Sequence, residues 1–244
     1  MTENTELTGK VVLVTGASRG IGYSAALEAA KRGAHVIAVA RTVGGLEELD
    51  DAIQEVGGSS TLVPFDLRDG DAIDRLGAAI FERWGHLDGL IANAGMLGTL
   101  SPVAHLKPDE FEKVMALNVT SNFRLLRSLD LLLRQATAGR AVFVSSSSAR
   151  SARPFWGLYA ASKAALDAMV KSYAGELSNT EVKTNIFYPG AVRTAMRAKA
   201  MPGEDPETLP QPADIAPKLI DLLSDRVTEN GRVFNVATDM FEDI

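Results

Sequence analysis

The sequence predicts one α/β domain, a doubly wound parallel sheet flanked by helices on both faces. Three observations carry this reading. Short apolar runs alternate with helical patterns along all 244 residues. The first run, Val11 to Thr15, is almost wholly β-branched and apolar, as a strand buried on both faces requires. A glycine-rich turn then joins that run directly to an alanine-rich helical segment.

Each element has its own signal. After Val11 to Thr15, six further runs repeat the strand pattern: Val36 to Ala40, Thr61 to Phe65, Leu87 to Ala92, Ala141 to Ser145, Val182 to Tyr188 and Arg232 to Val236. They predict a seven-stranded sheet with right-handed crossovers. Helices are expected between them. Ile21 to Lys31 is alanine-rich, and Gly45 to Val56 has leucine and isoleucine at helical spacing. Ala72 to Trp84, Asp109 to Arg134, Leu158 to Leu177 and Ala213 to Leu223 follow. No repeat or linker divides the chain, so residues 1–244 read as a single domain. The one irregular stretch, 189–212, holds Pro202, Gly203, Pro206 and Pro210. Loops of that length in compact domains are commonly functional, and this one is expected to cover the substrate.

Composition narrows the function. A chain that is 46% hydrophobic can bury an ample core. Its net charge of −6, with no basic block, argues against nucleic acid as a partner. The absence of cysteine removes disulfides, thiol catalysis and cysteine-ligated metals, and fits a cytoplasmic setting. Three scattered histidines without an H-x-x-x-H pair predict no metal site. Met1 to Leu7 carries two acids and no apolar run, so it is not expected to be a signal peptide. No run of about 18 apolar residues predicts a membrane span.

The turn Thr15-Gly16-Ala17-Ser18-Arg19-Gly20-Ile21-Gly22 is placed to hold a pyrophosphate. Its glycines permit close backbone approach, and the following helix start offers N–H groups to an anion. The end of the second strand reads Ala40-Arg41-Thr42, with no carboxylate to bind a ribose 2′-hydroxyl. Arg41, with Arg19 as a second clamp, instead suits a 2′-phosphate, which predicts that NADP(H) is preferred over NAD(H).

Tyr159 and Lys163 lie one helical turn apart and should face the same way. An ammonium about 4 Å from a phenol, at an effective dielectric near 20, favours the phenolate by roughly 4 kcal/mol. That predicts a tyrosine pKa lowered by about three units, toward neutrality.

These residues, taken in order, resemble the short-chain dehydrogenase/reductase family over nearly the whole chain. Gly16, Gly20 and Gly22 match its T-G-x-x-x-G-x-G turn. Asp66-Leu67 matches the acid after the third strand, and Asn93-Ala94-Gly95 its N-A-G signature, although Ala92 replaces an asparagine often found there. Asn118, Ser146, Tyr159 and Lys163 match its catalytic set, with Ser146 thirteen residues before Tyr159. Pro189-Gly190 and Thr194 match its P-G-x-x-x-T.

The resemblance implies a Rossmann-fold oxidoreductase acting on a small-molecule carbonyl or secondary alcohol. Tyr159 would be the general acid/base, and Ser146 would hold the carbonyl oxygen. Lys163 would lower the tyrosine pKa and bind the nicotinamide ribose, while Asn118 would help hold a proton-relaying water. Asp66 would contact adenine, and Thr194 with Pro189-Gly190 the carboxamide. The family's paired interface implies a homodimer or homotetramer through the helices at 109–134 and 158–177.

Several alternatives stay open at this stage. Ser147 and Ser148 compete with Ser146, and Asn118 could be only a buried amide. Phe155 and Trp156 could cover an apolar substrate or serve as packing anchors. Arg150, Arg153, Arg193 and Arg197 could bind an anionic substrate or be simply solvated. A cofactor-binding sensor or scaffold without turnover is the rival to an enzyme.

Overall fold

A computed structural model describes residues 6–244. Most of the Met1 to Leu7 stretch, expected not to be a leader, therefore lies outside the described residues. The strands are β1 (Val11–Thr15), β2 (His35–Ala40), β3 (Ser59–Pro64), β4 (Gly89–Ala92), β5 (Arg140–Val144), β6 (Lys183–Tyr188), β7 (Arg232–Asn235) and β8 (Met240–Asp243). They form one sheet in the order β3-β2-β1-β4-β5-β6-β7-β8. All neighbours are parallel except β7 and β8.

The sheet therefore has eight strands, not the seven expected. The extra one is the chain's last segment, which reads as a polar tail. It turns back at Asp239, in the left-handed region at φ 56°, and pairs antiparallel with β7. Phe241 lies opposite Phe234, and their rings meet edge-on at 5.3 Å. One aromatic cross-strand pair thus anchors a strand that composition hides.

The helices are α1 (Gly20–Lys31), α2 (Val43–Glu55), α3 (Gly70–Trp84), α4 (Pro108–Met115), α5 (Ser121–Gln135), α6 (Ser148–Ser151), α7 (Gly157–Glu176), α8 (Ala195–Ala200) and α9 (Pro212–Asp221). Period-two burial of the strands separates two cores. Val11 and Leu13 face Ile73, Leu129 and Leu166 of α3, α5 and α7. Val12 and Val14 face the alanines of α1, Leu46 and Leu49 of α2, and Leu219 of α9. The small side chains Ala25, Ala26, Ala29 and Ala30, all buried, let α1 lie close to the sheet.

The helix expected over Asp109 to Arg134 is interrupted. Ala116–Thr120 forms a π-helical turn between α4 and α5, with Asn118 at its centre and fully buried. Such bulges inside helices are frequent at functional sites. The 189–212 stretch is not structureless either: it contains α8 and a 3₁₀ turn at Pro206–Thr208. Among the described residues, no helix is long and apolar enough to cross a membrane.

Candidate active site

The strand order reverses between β1 and β4, and doubly wound sheets bind their ligands outside the carboxyl ends of the strands at such a point. Gly16, at φ 68°, and Gly20, at φ 60°, make the turn after β1 in conformations that other residues resist. Ala17, Ser18 and Arg19 lie between them, and Ile21 and Gly22 open α1. Arg19 begins α1 without a side-chain cap, so the first N–H groups of the helix are not claimed by it. Asn93 holds the turn from the neighbouring strand. Its Nδ2 donates to Thr15 O at 3.0 Å, and the N–H groups of Asn93 and Ala94 both donate to Thr15 Oγ1 at 3.0 Å.

Two contacts join this turn to the rest of the set. Thr194 caps α8, accepting from Arg197 N at 3.2 Å. Its Cγ2 sits 3.6 Å from where a Cβ on Gly20 would be, so the loop beginning Pro189-Gly190 lies over the glycine turn. Gly95 sits against the π turn and α7: a Cβ there would be 3.3 Å from Asn118 Oδ1 and 3.5 Å from Lys163 Nζ.

At the end of β2, Arg41 is exposed and its Nη1 stands 3.7 Å from Asp66 Oδ2. Asp66 is more tightly engaged by Arg68, through Nη2 at 2.6 Å and through the backbone N–H at 3.0 Å. The Arg68 hydrogen bond, with Arg41 adding its charge, holds this carboxyl down at about 2. The acid expected to contact adenine is thus occupied by two guanidiniums, while Leu67 beside it is buried. Arg68 went unread in the sequence; its one signal is an arginine two residues after an acid in a D-L-R run.

Tyr159 and Lys163 share a face of α7, as expected, with Lys163 Nζ 5.9 Å from the centre of the phenol ring. Both are buried, at 8% and 3% exposure. Here the expected electrostatics are corrected. Burial pushes Tyr159 up to about 12, opposed only by a hydrogen bond with Ser146. Burial also pulls Lys163 down to about 8, and the charge of Asp167 resists this. One Lys163 N–H donates to Val144 O at 2.8 Å. Desolvation is the largest effect on both groups, so the phenol keeps its proton.

Ser146, just past β5, is the serine that meets Tyr159; it also accepts from Ser148 N at 3.2 Å. Ser147 is exposed, and Ser148 begins α6. Asn118 has both amide hydrogens in use, on Met96 O and Ser162 Oγ, each at 2.9 Å, and its Oδ1 accepts from Met96 N at 2.9 Å. Its side chain ties the π turn to the loop after β4 and to α7.

Asp167, one turn beyond Lys163, also escaped the sequence reading. It is buried and accepts from Tyr188 Oη at 2.5 Å, with the Ser145 hydroxyl close by. Burial pushes the Asp167 carboxyl up, opposed by the Ser145 and Tyr188 hydroxyls and the Lys163 charge. An acid inside an alanine-rich helix gives no sequence signal of this.

Three of the four arginines near the cleft are paired with carboxylates. Arg193 bonds Glu207 at 2.5 and 3.0 Å, and Arg197 bonds Glu204 at 2.5 and 2.6 Å. Arg150 bonds Glu242 at 2.9 Å and the Asp243 carbonyl, both on β8. Trp156 packs on Tyr159, whereas Phe155 is 58% exposed.

The buried tyrosines give a pH prediction. Burial raises Tyr159, Tyr173 and Tyr188 alike, so three of the four tyrosines hold their protons beyond the usual range. The unfolded chain releases such protons near pH 10. Above that pH the folded state binds more protons than the unfolded state. Stability is therefore complete below about pH 10 and falls as pH rises toward 12. The urea midpoint should drop between about pH 9 and about pH 11, with three phenols ionising only as the chain unfolds. A full set of phenolates in the folded protein would contradict this.

The switch point, glycine turn and overlying loop place the chain in the doubly wound α/β class that binds dinucleotides. Residues 10–205 match the family model for short chain dehydrogenase. The oxidoreductase YciK of Escherichia coli K12, described as uncharacterized, is 39% identical over 222 residues, covering 90% of this chain and 88% of its own. A short chain dehydrogenase from Shigella flexneri 2a, solved with NADP, superposes with a TM-score of 0.91 at 38% identity, covering 95% of this chain and 98% of that one. Another from Escherichia coli CFT073, solved with NADPH, gives a TM-score of 0.90 at 38% identity over 95% and 98% of the two chains. The chain belongs to the short-chain dehydrogenase/reductase family of oxidoreductases, enzymes that use a nicotinamide cofactor and act on small molecules.

Proposed function

We propose that the protein is an NADP(H)-dependent oxidoreductase that interconverts a small-molecule carbonyl and its secondary alcohol, with Tyr159 as general acid and base. The observation that carries this is Ser146 beside the buried Tyr159 and Lys163, joined through Gly95 and Thr194 to a glycine turn fit for a diphosphate. The nicotinamide, when bound, supplies or accepts the hydride. Ser146 holds the carbonyl oxygen. Tyr159, protonated as burial leaves it, gives its proton to the forming alkoxide, a far stronger base than a phenolate. Lys163 brings a positive charge to the phenol and has donors beyond the one given to Val144 for a ribose. Asn118 acts through position: it fixes the wide π turn beside Lys163, where a relaying water would sit.

Residues Gly16, Ser18, Arg19, Gly20, Ile21 and Gly22 form the diphosphate cradle in this reading. Asp66, Leu67, Asn93, Ala94 and Gly95 line the adenine and ribose side, and Pro189, Gly190 and Thr194 the nicotinamide side. Arg41 supports a 2′-phosphate preference, and Arg68, held at the same corner by Asp66, adds a second guanidinium. Two relatives solved with NADP and NADPH support the same choice. A sensor or scaffold is disfavoured because an ammonium and a phenol are expensive to bury without use.

Phe123 and Leu131 of α5 stay exposed, at 51% and 73%, beside the exposed small residues Ala161, Ala164 and Ala168 of α7. This supports a homodimer or homotetramer through these helices, in a cytoplasmic protein. The cofactor assignment has a direct test. kcat/KM for NADPH should exceed that for NADH by about 10–100-fold, the worth of one or two charge-assisted contacts. Arg41→Asp should erase the difference, and equal efficiency with both cofactors in the native chain would refute the assignment.

A further inference from the structure

Resting on the site assignment above, we infer that the substrate is an uncharged carbonyl compound with an apolar body, not a carboxylate or phosphate. The apolar side chains packed with Tyr159 carry this: Leu97, Leu100, Trp156, Met196, Ala200 and Met201. These come from three separate segments: the loop after β4, the residue before α7, and α8 with its continuation. Trp156 meets Tyr159 edge-on, with centroids 6.1 Å apart and planes at 66°, which leaves an aromatic surface beside the reacting oxygen. The two methionines are flexible and polarizable, so the wall can adapt to a flat or a branched apolar group.

The charges that might have served an anion are committed elsewhere. Arg193, Arg197 and Arg150 each have a carboxylate partner within hydrogen-bond distance. The Glu204 carboxyl is held low by Arg197, so that pair stays ionised and closed on itself. Arg153 is exposed and has no ion pair among the described residues. An anion in the cleft would lose its hydration to these apolar side chains and would find Arg150, Arg193 and Arg197 already paired with carboxylates.

The backbone supports the same class. Phe155 adopts φ 70°, a left-handed conformation unusual for an aromatic residue, and its carbonyl accepts from Ser101 N at 3.0 Å. Phe155 and Val103 are 58% and 70% exposed, on the segments that supply Trp156 and Leu100. Strain of this kind is kept where a side chain has a duty. Here it presents an apolar rim continuous with the wall.

Methyl 4-acetylbenzoate and 4-acetylbenzoate share one ketone and differ by a distant charge, so they isolate the question. NADPH consumption is measured with each, and binding of each to the NADP⁺-saturated protein is measured by calorimetry. The ester should show kcat/KM and affinity about 100-fold above the acid, since a desolvated charge costs at least that much. Met196→Arg, which adds a charge to the wall, should narrow that ratio by about tenfold or more while the melting temperature stays within a few degrees. If the acid binds or reacts as well as the ester, the inference is overturned and the oxidoreductase reading stands. If the ester binds far better but no NADPH is consumed with either, the substrate class is supported and the oxidoreductase reading fails.

Discussion

Tyr159→Phe is expected to lower kcat/KM by about 10²–10⁴-fold, the usual worth of a positioned general acid, while NADPH affinity changes by no more than a few-fold. The change removes one oxygen from a ring that is otherwise held by Leu97, Trp156 and the two methionines, so packing is retained. What is lost is the proton that Ser146 positions and that burial keeps on the phenol up to about 12. The ammonium of Lys163 is not placed as the phenol oxygen is: it is buried, donates to Val144 O at 2.8 Å, and lies 5.9 Å from the centre of the tyrosine ring. Wild-type-like turnover in this variant, with fluorescence titration confirming bound NADPH, would exclude Tyr159 as the acid.

Gly22→Ala should be nearly as damaging by a different route. A Cβ at this position would lie 2.3 Å from Gly16 O and 2.4 Å from Asn93 Nδ2. The first of these is backbone and cannot rotate away. Either the glycine turn opens, or α1 lifts from the end of β1 and the Asn93 bond to Thr15 O is broken. Overpacking of this kind costs about 1–3 kcal/mol of stability. The turn is also the proposed diphosphate cradle, so NADPH affinity should fall about 100-fold, about 2.7 kcal/mol. Gly44→Ala is the matched control. Nothing lies within 4 Å of its new methyl group, and it sits in α2 at an ordinary φ. It should leave cofactor binding unchanged and stabilise the protein by up to about 1 kcal/mol. Unaltered NADPH binding in Gly22→Ala would contradict the cradle.

The parts of this account that were legible in the sequence are those written in local patterns. β1 is apolar up to Thr15 because both its faces are buried, and β2 after His35 and β5 after Arg140 follow the same rule. The glycine turn is legible because the Gly16 carbonyl and the Asn93 side chain leave no room for a side chain at Gly22. The order of Asn118, Ser146, Tyr159 and Lys163 pointed to one site, and the structure brings Ser146 to Tyr159, and Asn118 and Lys163 to Gly95.

What escaped depends on long-range packing. β8 is a short edge strand held by Phe241 against Phe234, and its sequence shows no alternation. The π turn at 116–120 sits inside an unbroken helical periodicity, so nothing local marks it. The expected fall of the Tyr159 pKa assumed a solvent-like surround. Three distant segments close over the ring, and their desolvation reverses the sign. The arginines of the 189–212 loop looked free because their partners, Glu204 and Glu207, approach only once α8 and the following turn have formed.

The central claim is that a hydride and a proton reach one carbonyl group at this site. The direct measurement uses NADPH carrying deuterium at the transferable C4 position, methyl 4-acetylbenzoate as acceptor, and mass spectrometry of the product. Hydride transfer predicts one deuterium on the carbinol carbon, with matching loss of NADPH absorbance and product formation about 10²–10⁴-fold slower in Tyr159→Phe. A protein that binds NADPH tightly yet leaves both the label and the ketone untouched, across a panel of uncharged ketones, would be a cofactor-binding scaffold and would contradict the claim.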